Sequence, residues 1–162
     1  MENKIPDNRI AHMRGVAEYM YAHADKYNLI PEEMYFLGLN HDIGYINGKE
    51  GHEDFGGELL HTLGISKELS DIISWHGTTP NEYKELHVCF DDEIPDALIL
   101  LWEADMHIDL SGKDVGYKAR LEDIGNRHGF DSKPYQTCKA TIEWLLNREA
   151  VKYLTNLNGG QI

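Results

Sequence analysis

Apolar side chains recur at three- and four-residue spacing along almost the whole chain, the period of helices with one face turned inward. Ile10, Met13, Ala17, Met20, Tyr21 and Ala24 form the first such stripe and predict a helix over about 8–27, with Asp7 placed to cap it. Ile30-Pro31-Glu32-Glu33 opens a second helix: proline suits a first turn, and the two acids face the positive end of the helix dipole. It carries Met34, Tyr35, Leu37 and Leu39 up to His41-Asp42, and Gly44 stops it. Asn47-Gly48 marks a loop over about 45–51, followed by a short helix over about 54–63 that ends at Gly64. Ser66 caps a fourth, Lys67 to about Trp75, with Leu69, Ile72 and Ile73 inward. The polar stretch from Thr78 to Ile94 contains Pro80 and the acidic run Asp91-Asp92-Glu93, and reads as a long surface loop. A fifth helix runs from Pro95 and Asp96 to about His107, broken by Ser111-Gly112-Lys113. A sixth covers about 115–128 up to Gly129. Pro134 then opens a last helix to about Leu157, with Ile142, Leu145, Leu146, Val151 and Leu154 inward and a frayed tail at Asn158-Gly159-Gly160. No stretch alternates with period two. The pattern predicts an all-α bundle of about six to seven helices in one domain.

Length and charge narrow the function classes. At 162 residues the chain can bury roughly 70% of its unfolded surface as a single domain. Its net charge of −13 would repel DNA, RNA and acidic membranes, and no run of Lys or Arg offsets it. A phosphorylated small molecule is still accessible to such a chain if bound cations reverse the local field. Cys89 and Cys138 belong to no Cys-x-x-Cys, and the polar start Met1-Glu2-Asn3-Lys4 carries no signal peptide. Both points lead us to expect reduced thiols and a cytoplasmic setting. The longest apolar run, Ala97-Leu98-Ile99-Leu100-Leu101-Trp102, is too short to span a bilayer.

The candidate chemistry lies in where histidines fall. Of nine, His12 sits on the apolar side of the first helix, His41-Asp42 ends the second, His52 precedes the third and His76 ends the fourth; Asp105 lies near the end of the fifth. Each has an ordinary reading alone. His12 could be a core histidine, His52 a cap, and His76 a cation at a helix C-terminus, while Glu103 and Asp109 compete with Asp105. His23, His61, His87, His107 and His128 keep such ordinary readings. One His or Asp per successive helix, however, is what a bundle needs to bring them to one site.

These residues resemble the HD-domain superfamily of metal-dependent phosphohydrolases over about Arg9 to Ile108. The core pattern is His12, His41-Asp42 and Asp105. His52, followed by Phe55-Gly56-Gly57-Glu58-Leu59-Leu60, and His76 after Ile72-Ile73 resemble the two-metal branch, which includes bacterial dinucleoside-polyphosphate hydrolases. The resemblance implies one HD-like domain over 1–162, with a core of about 8–110 and C-terminal helices over about 113–157. Some members place a Lys just after the His-Asp pair; here Gly44-Tyr45 stands there, and Lys49 is the nearest candidate.

The implied ligands are His12, His41, Asp42, His52, His76 and Asp105. Imidazoles and carboxylates without thiolates suit two divalent ions such as Fe, Mn, Co, Ni or Zn. Asp42 would bridge them, His12, His41 and Asp105 completing one shell and His52 and His76 the other. The implied reaction is hydrolysis of a phosphate ester or anhydride of a small nucleotide-like substrate by a metal-activated hydroxide, with Asp42 and His41 at the catalytic centre. Arg14 and Lys49 are the expected phosphate ligands, and neither a nucleic-acid polymer nor a membrane is an expected partner. Two alternatives use the same residues: a mixed-valence di-iron oxygenase, and a non-catalytic nucleotide-binding regulatory module. The oligomeric state stays open.

Overall fold

A computed structural model describes residues 4–159. Among them the chain forms eight α-helices and no strand: α1 (Asp7–His23), α2 (Pro31–Asn40), α3 (His52–Thr62), α4 (Lys67–Trp75), α5 (Pro80–His87), α6 (Asp96–Asp105), α7 (Gly116–His128) and α8 (Lys133–Gly159). The fold is all-α. The end of the predicted frayed tail, Gly160, and the start Met1-Glu2-Asn3 lie outside the described residues.

The centre of the bundle is α6. Leu98, Ile99, Leu100, Leu101, Trp102 and Ala104 are all buried, so the helix is apolar all round, as a helix enclosed on every side must be. Against it pack α1, α2, α4 and α8. Full burial of each large aliphatic side chain contributes about 1.5–3 kcal/mol, so this one short helix is a principal source of stability. Its only buried charge, Glu103, is satisfied by Tyr19 Oη at 3.0 Å, Tyr27 Oη at 2.8 Å and Lys26 Nζ at 3.0 Å.

Close approach of α1 to α2 depends on Gly38, where a Cβ would fall 2.6 Å from Ala17 Cα. The two helices that carry His12 and His41 can touch backbone to backbone only because that position is bare.

Several boundaries differ from the periodicity. Pro6, rather than Asp7, occupies the N-cap position of α1, with no side-chain capping hydrogen bond, and Asp7 enters the first turn, where its charge still favours the dipole. The first helix ends at His23, and Ala24–Tyr27 tightens into a 3₁₀ turn. Helix α3 begins at His52, two residues early, because Gly51 takes a left-handed φ of 66° and turns the chain directly into it. Ser66 does cap α4, its Oγ accepting from Leu69 N at 3.3 Å.

The expected long loop over Thr78–Ile94 is corrected: it contains α5. Thr79 and Glu82 form a reciprocal capping box, Pro80 stands in the first turn, and Tyr83 is buried. Polarity concealed a start signal that was present. The stripe along α8 is corrected too. Ile142 and Leu145 are buried, but Leu146, Val151 and Leu154 are 48%, 62% and 57% exposed. Every described side chain after Arg148 faces solvent, because the second half of α8 runs past its partners.

No described helix is long and apolar enough to cross a membrane. Cys89 and Cys138 are free thiols.

Candidate metal centre

Helix ends bring the cluster together. His12 lies inside α1; His41 and Asp42 follow the last turn of α2, His52 is the first residue of α3, His76 follows α4, and Asp105 is the last residue of α6. The backbone after Asp42 makes this convergence possible. Ile43–Asn47 forms a 3₁₀ turn, and a Cβ on Gly44 would lie 1.7 Å from the His52 carbonyl oxygen. Glycine at 44 therefore lets the start of α3 rest on this turn.

The six side chains face one another across short gaps. His12 Nε2 is 2.8 Å from Asp105 Oδ1, and His41 Nε2 is 3.3 Å from Asp42 Oδ2 and 3.8 Å from Asp105 Oδ1. On the other side of Asp42, Oδ1 lies 3.2 Å from His52 Nε2 and 3.5 Å from His76 Nε2. His12, His41, Asp42 and His76 are buried, while His52 and Asp105 line the opening.

Whether these groups suit a metal follows from the other ring nitrogen. Each of the four imidazoles holds its Nδ1 against a backbone carbonyl: Asp109 O at 3.1 Å, Gly38 O at 2.7 Å, Lys49 O at 2.9 Å and Ile73 O at 2.6 Å for His12, His41, His52 and His76. A carbonyl can only accept, so Nδ1 carries the hydrogen and a neutral ring presents a lone pair at Nε2. All four lone pairs then point at carboxylate oxygens, which also only accept. Such a set is stable only around protons or cations. His41 Nε2, buried and without a hydrogen-bond partner, makes the same point atom by atom. Three overlapping triads hold their donor atoms within 4.8 Å of one another: His12–His41–Asp42, His41–His76–Asp105 and Asp42–His52–His76. The arrangement fits divalent cations with nitrogen and oxygen ligands.

Electrostatics agree. Burial alone would raise the Asp42 carboxyl, but His41, His52 and His76 hold it well below the ordinary carboxylate range. Burial likewise works against the Asp105 carboxylate, and His12, His41 and Arg120 outweigh it. Both acids stay ionised in a dry setting, which requires compensating positive charge.

The cluster opens into a cavity of about 670 Å³. Lys49 lines it. Arg14 does not: it is exposed, because a two-residue step turns about 200° around a helix and faces away from His12. Arg9, three residues before His12 and so on its face, takes the place expected of Arg14. Its Nη1 donates to Asp42 Oδ2 at 3.0 Å, and its guanidinium lies 4.3 Å from the centre of the Tyr45 ring. Helical spacing could have identified Arg9. Burial pushes the Tyr45 phenol up to about 12, so it faces the cavity as a neutral hydroxyl. Glu53, Arg120, Arg127, His128 and Lys133 also line the cavity, and nothing in local sequence marks them.

No curated protein and no solved structure gives a significant match to the chain. A profile of the HD domain matches residues 9–116, a span that holds all six residues of the cluster and, but for the first two residues of α1, the helices that position them. The chain therefore belongs to the HD-domain family.

Proposed function

We propose that this protein is a metal-dependent phosphohydrolase that cleaves a phosphate ester or anhydride of a small, nucleotide-like substrate, with two divalent ions at the His/Asp cluster. One observation carries the reading: four imidazole Nε2 atoms, each fixed by an Nδ1–H to a backbone carbonyl, converge on two ionised carboxylates at the floor of an open cavity. His12, His41, Asp42 and Asp105 would hold one ion, and Asp42, His52 and His76 the other. Bound ions of this kind supply a water ionised near neutral pH and neutralise phosphoryl oxygens as charge shifts.

The chain's own groups do the rest. Backbone carbonyls keep the four imidazoles in the ligating tautomer, so little reorganisation accompanies binding. Asp42 presents its two oxygens to different imidazoles, which suits a bridging carboxylate. Arg9 and Lys49 add fixed positive charge beside the cluster, where phosphoryl oxygens would gather it. Glu53, with Oε2 3.3 Å from His52 Nδ1, is the carboxylate placed to steady that ring. Trp102 donates from Nε1 to His76 O at 3.0 Å and ties the end of α4 to the core.

Metal analysis of protein purified without added metal, followed by a phosphatase panel with Mn, Fe, Co and Ni, tests this reading. Two ions per chain and metal-dependent phosphate release under nitrogen are expected. Turnover that needs dioxygen, or full metal occupancy with no phosphate release across the panel, would overturn it.

A further inference from the structure

One wall of the cavity, which meets the cluster at Asp105, is built by α7 and α8, which continue beyond the residues that match the HD domain. Helix α7 presents Arg120, Ile124, Arg127 and His128 at helical spacing, and α8 adds Lys133 at its N-terminal end. Positive charge is denser here than in the molecule as a whole. Arg9, Lys49, Arg120, Arg127 and Lys133 line this one cavity beside Asp42, Glu50, Glu53 and Asp105, in a chain with 15 Lys and Arg against 28 Asp and Glu.

Arg120 is the least expected of these. It is 4% exposed, and its Nη1 makes no hydrogen bond, the Asp123 carboxylate standing 3.6 Å away. Its Nε donates to Asp105 O at 3.1 Å and its Nη2 lies 3.7 Å from Asp105 Oδ1, which anchors the guanidinium beside the cluster with the Nη1 hydrogens unused. A buried, unsatisfied arginine nitrogen costs free energy unless an acceptor arrives.

Deepening the reading of the cluster as a phosphoryl-cleaving centre, we propose that α7 and α8 select substrates with two or more linked phosphoryl groups. With one phosphoryl group at the His/Asp cluster, Arg120, Arg127 and Lys133 bind the next. Arginine forks and a lysine point charge are the groups that hold phosphoryl oxygens, and Arg127, which donates from Nε to Asp123 Oδ2 at 3.0 Å, keeps its Nη groups for such a contact. The His128 imidazole reports the same field: burial and the charges of Lys49, Arg127 and Arg9 hold it below its ordinary value.

Two uncleavable ligands test this by calorimetry on the metal-loaded full chain: methylenediphosphonate, with two phosphonyl groups, and methylphosphonate, with one. Wild-type protein should prefer the first by about tenfold or more, the scale of one or two charge-assisted hydrogen bonds. Arg127→Ala/Lys133→Ala alters only exposed side chains and should lose most of that preference, with metal content and methylphosphonate affinity unchanged. Arg127→Lys/Lys133→Arg should retain it, as should Arg148→Ala, which removes a cation lining a different cavity. Chelation by the diphosphonate is common to all these proteins, so only the difference between them reads the wall. An undiminished preference in the alanine double variant, or none in the wild type, would overturn the proposal. If the preference behaves as expected but no phosphate ester or anhydride is cleaved, the hydrolase reading fails and the wall stands.

Discussion

His52 Nε2 stands 3.2 Å from Asp42 Oδ1, a contact between two segments that meet because Gly44 has no side chain. A Cβ at 44 would sit 1.7 Å from the His52 carbonyl oxygen, far inside van der Waals contact distance, and force α3 away from the turn. Gly44→Ala should cost about 1–3 kcal/mol or more of stability through overpacking. It should also lower occupancy by the ion that His52 would ligate under the proposed function. Denaturant titration and metal analysis read the two effects separately, and a stable variant with full occupancy would contradict the argument.

Asp42→Asn keeps the shape of the side chain and removes its charge. Four imidazole lone pairs would then lack one of their two carboxylates, and the buried cations would lose most of their compensation. Metal content should collapse and turnover fall by orders of magnitude. Lys49→Ala touches no ligand, so metal should be retained while substrate binding weakens by about 1–3 kcal/mol, the worth of a charged hydrogen bond. Elemental analysis beside KM separates the two variants.

Acid should empty the site. The imidazoles ligate only when neutral, so protons compete with metal as pH falls through the histidine range. Activity should decline between about pH 6 and 5, with metal release in step. Full activity at pH 5 with metal retained would refute this.

Glu103 predicts a separate, structural pH dependence. Burial pushes its carboxyl up, but Lys26, Tyr27 and Tyr19 outweigh burial and hold it below its ordinary 4.5. A depressed folded-state pKa adds stability that is fully present above the ordinary value and is lost as pH falls through the folded one. Glu103→Gln should therefore destabilise by about 1–3 kcal/mol near neutrality, where hydrogen bonds to a charged group are broken. The gap from wild type should narrow below pH 4.5, as urea titrations at several pH values would record.

Local signals in the sequence were enough for the helical class, most helix positions and the order His12, His41-Asp42, His52, His76, Asp105. Period, caps and helix-breaking glycines are short-range properties, so they can be read within a few residues. Where the reading failed, a local signal was outweighed or overlooked. The Thr79–Glu82 capping box starts a helix inside a polar stretch, and helical geometry turns Arg14 away from His12 while keeping Arg9 on its face. Leu146, Val151 and Leu154 follow an inward period, yet burial requires a partner, and α8 has none at that point. The distances at which the six side chains face one another depend on backbone approaches at Gly38 and Gly44, between segments distant along the chain. The cationic wall is wholly a product of tertiary structure. Arg120, Arg127 and Lys133 are ordinary surface residues by sequence, and only the packing of α7 and α8 brings them to the cavity that Asp42 also lines, because charge in a cavity depends on what encloses it.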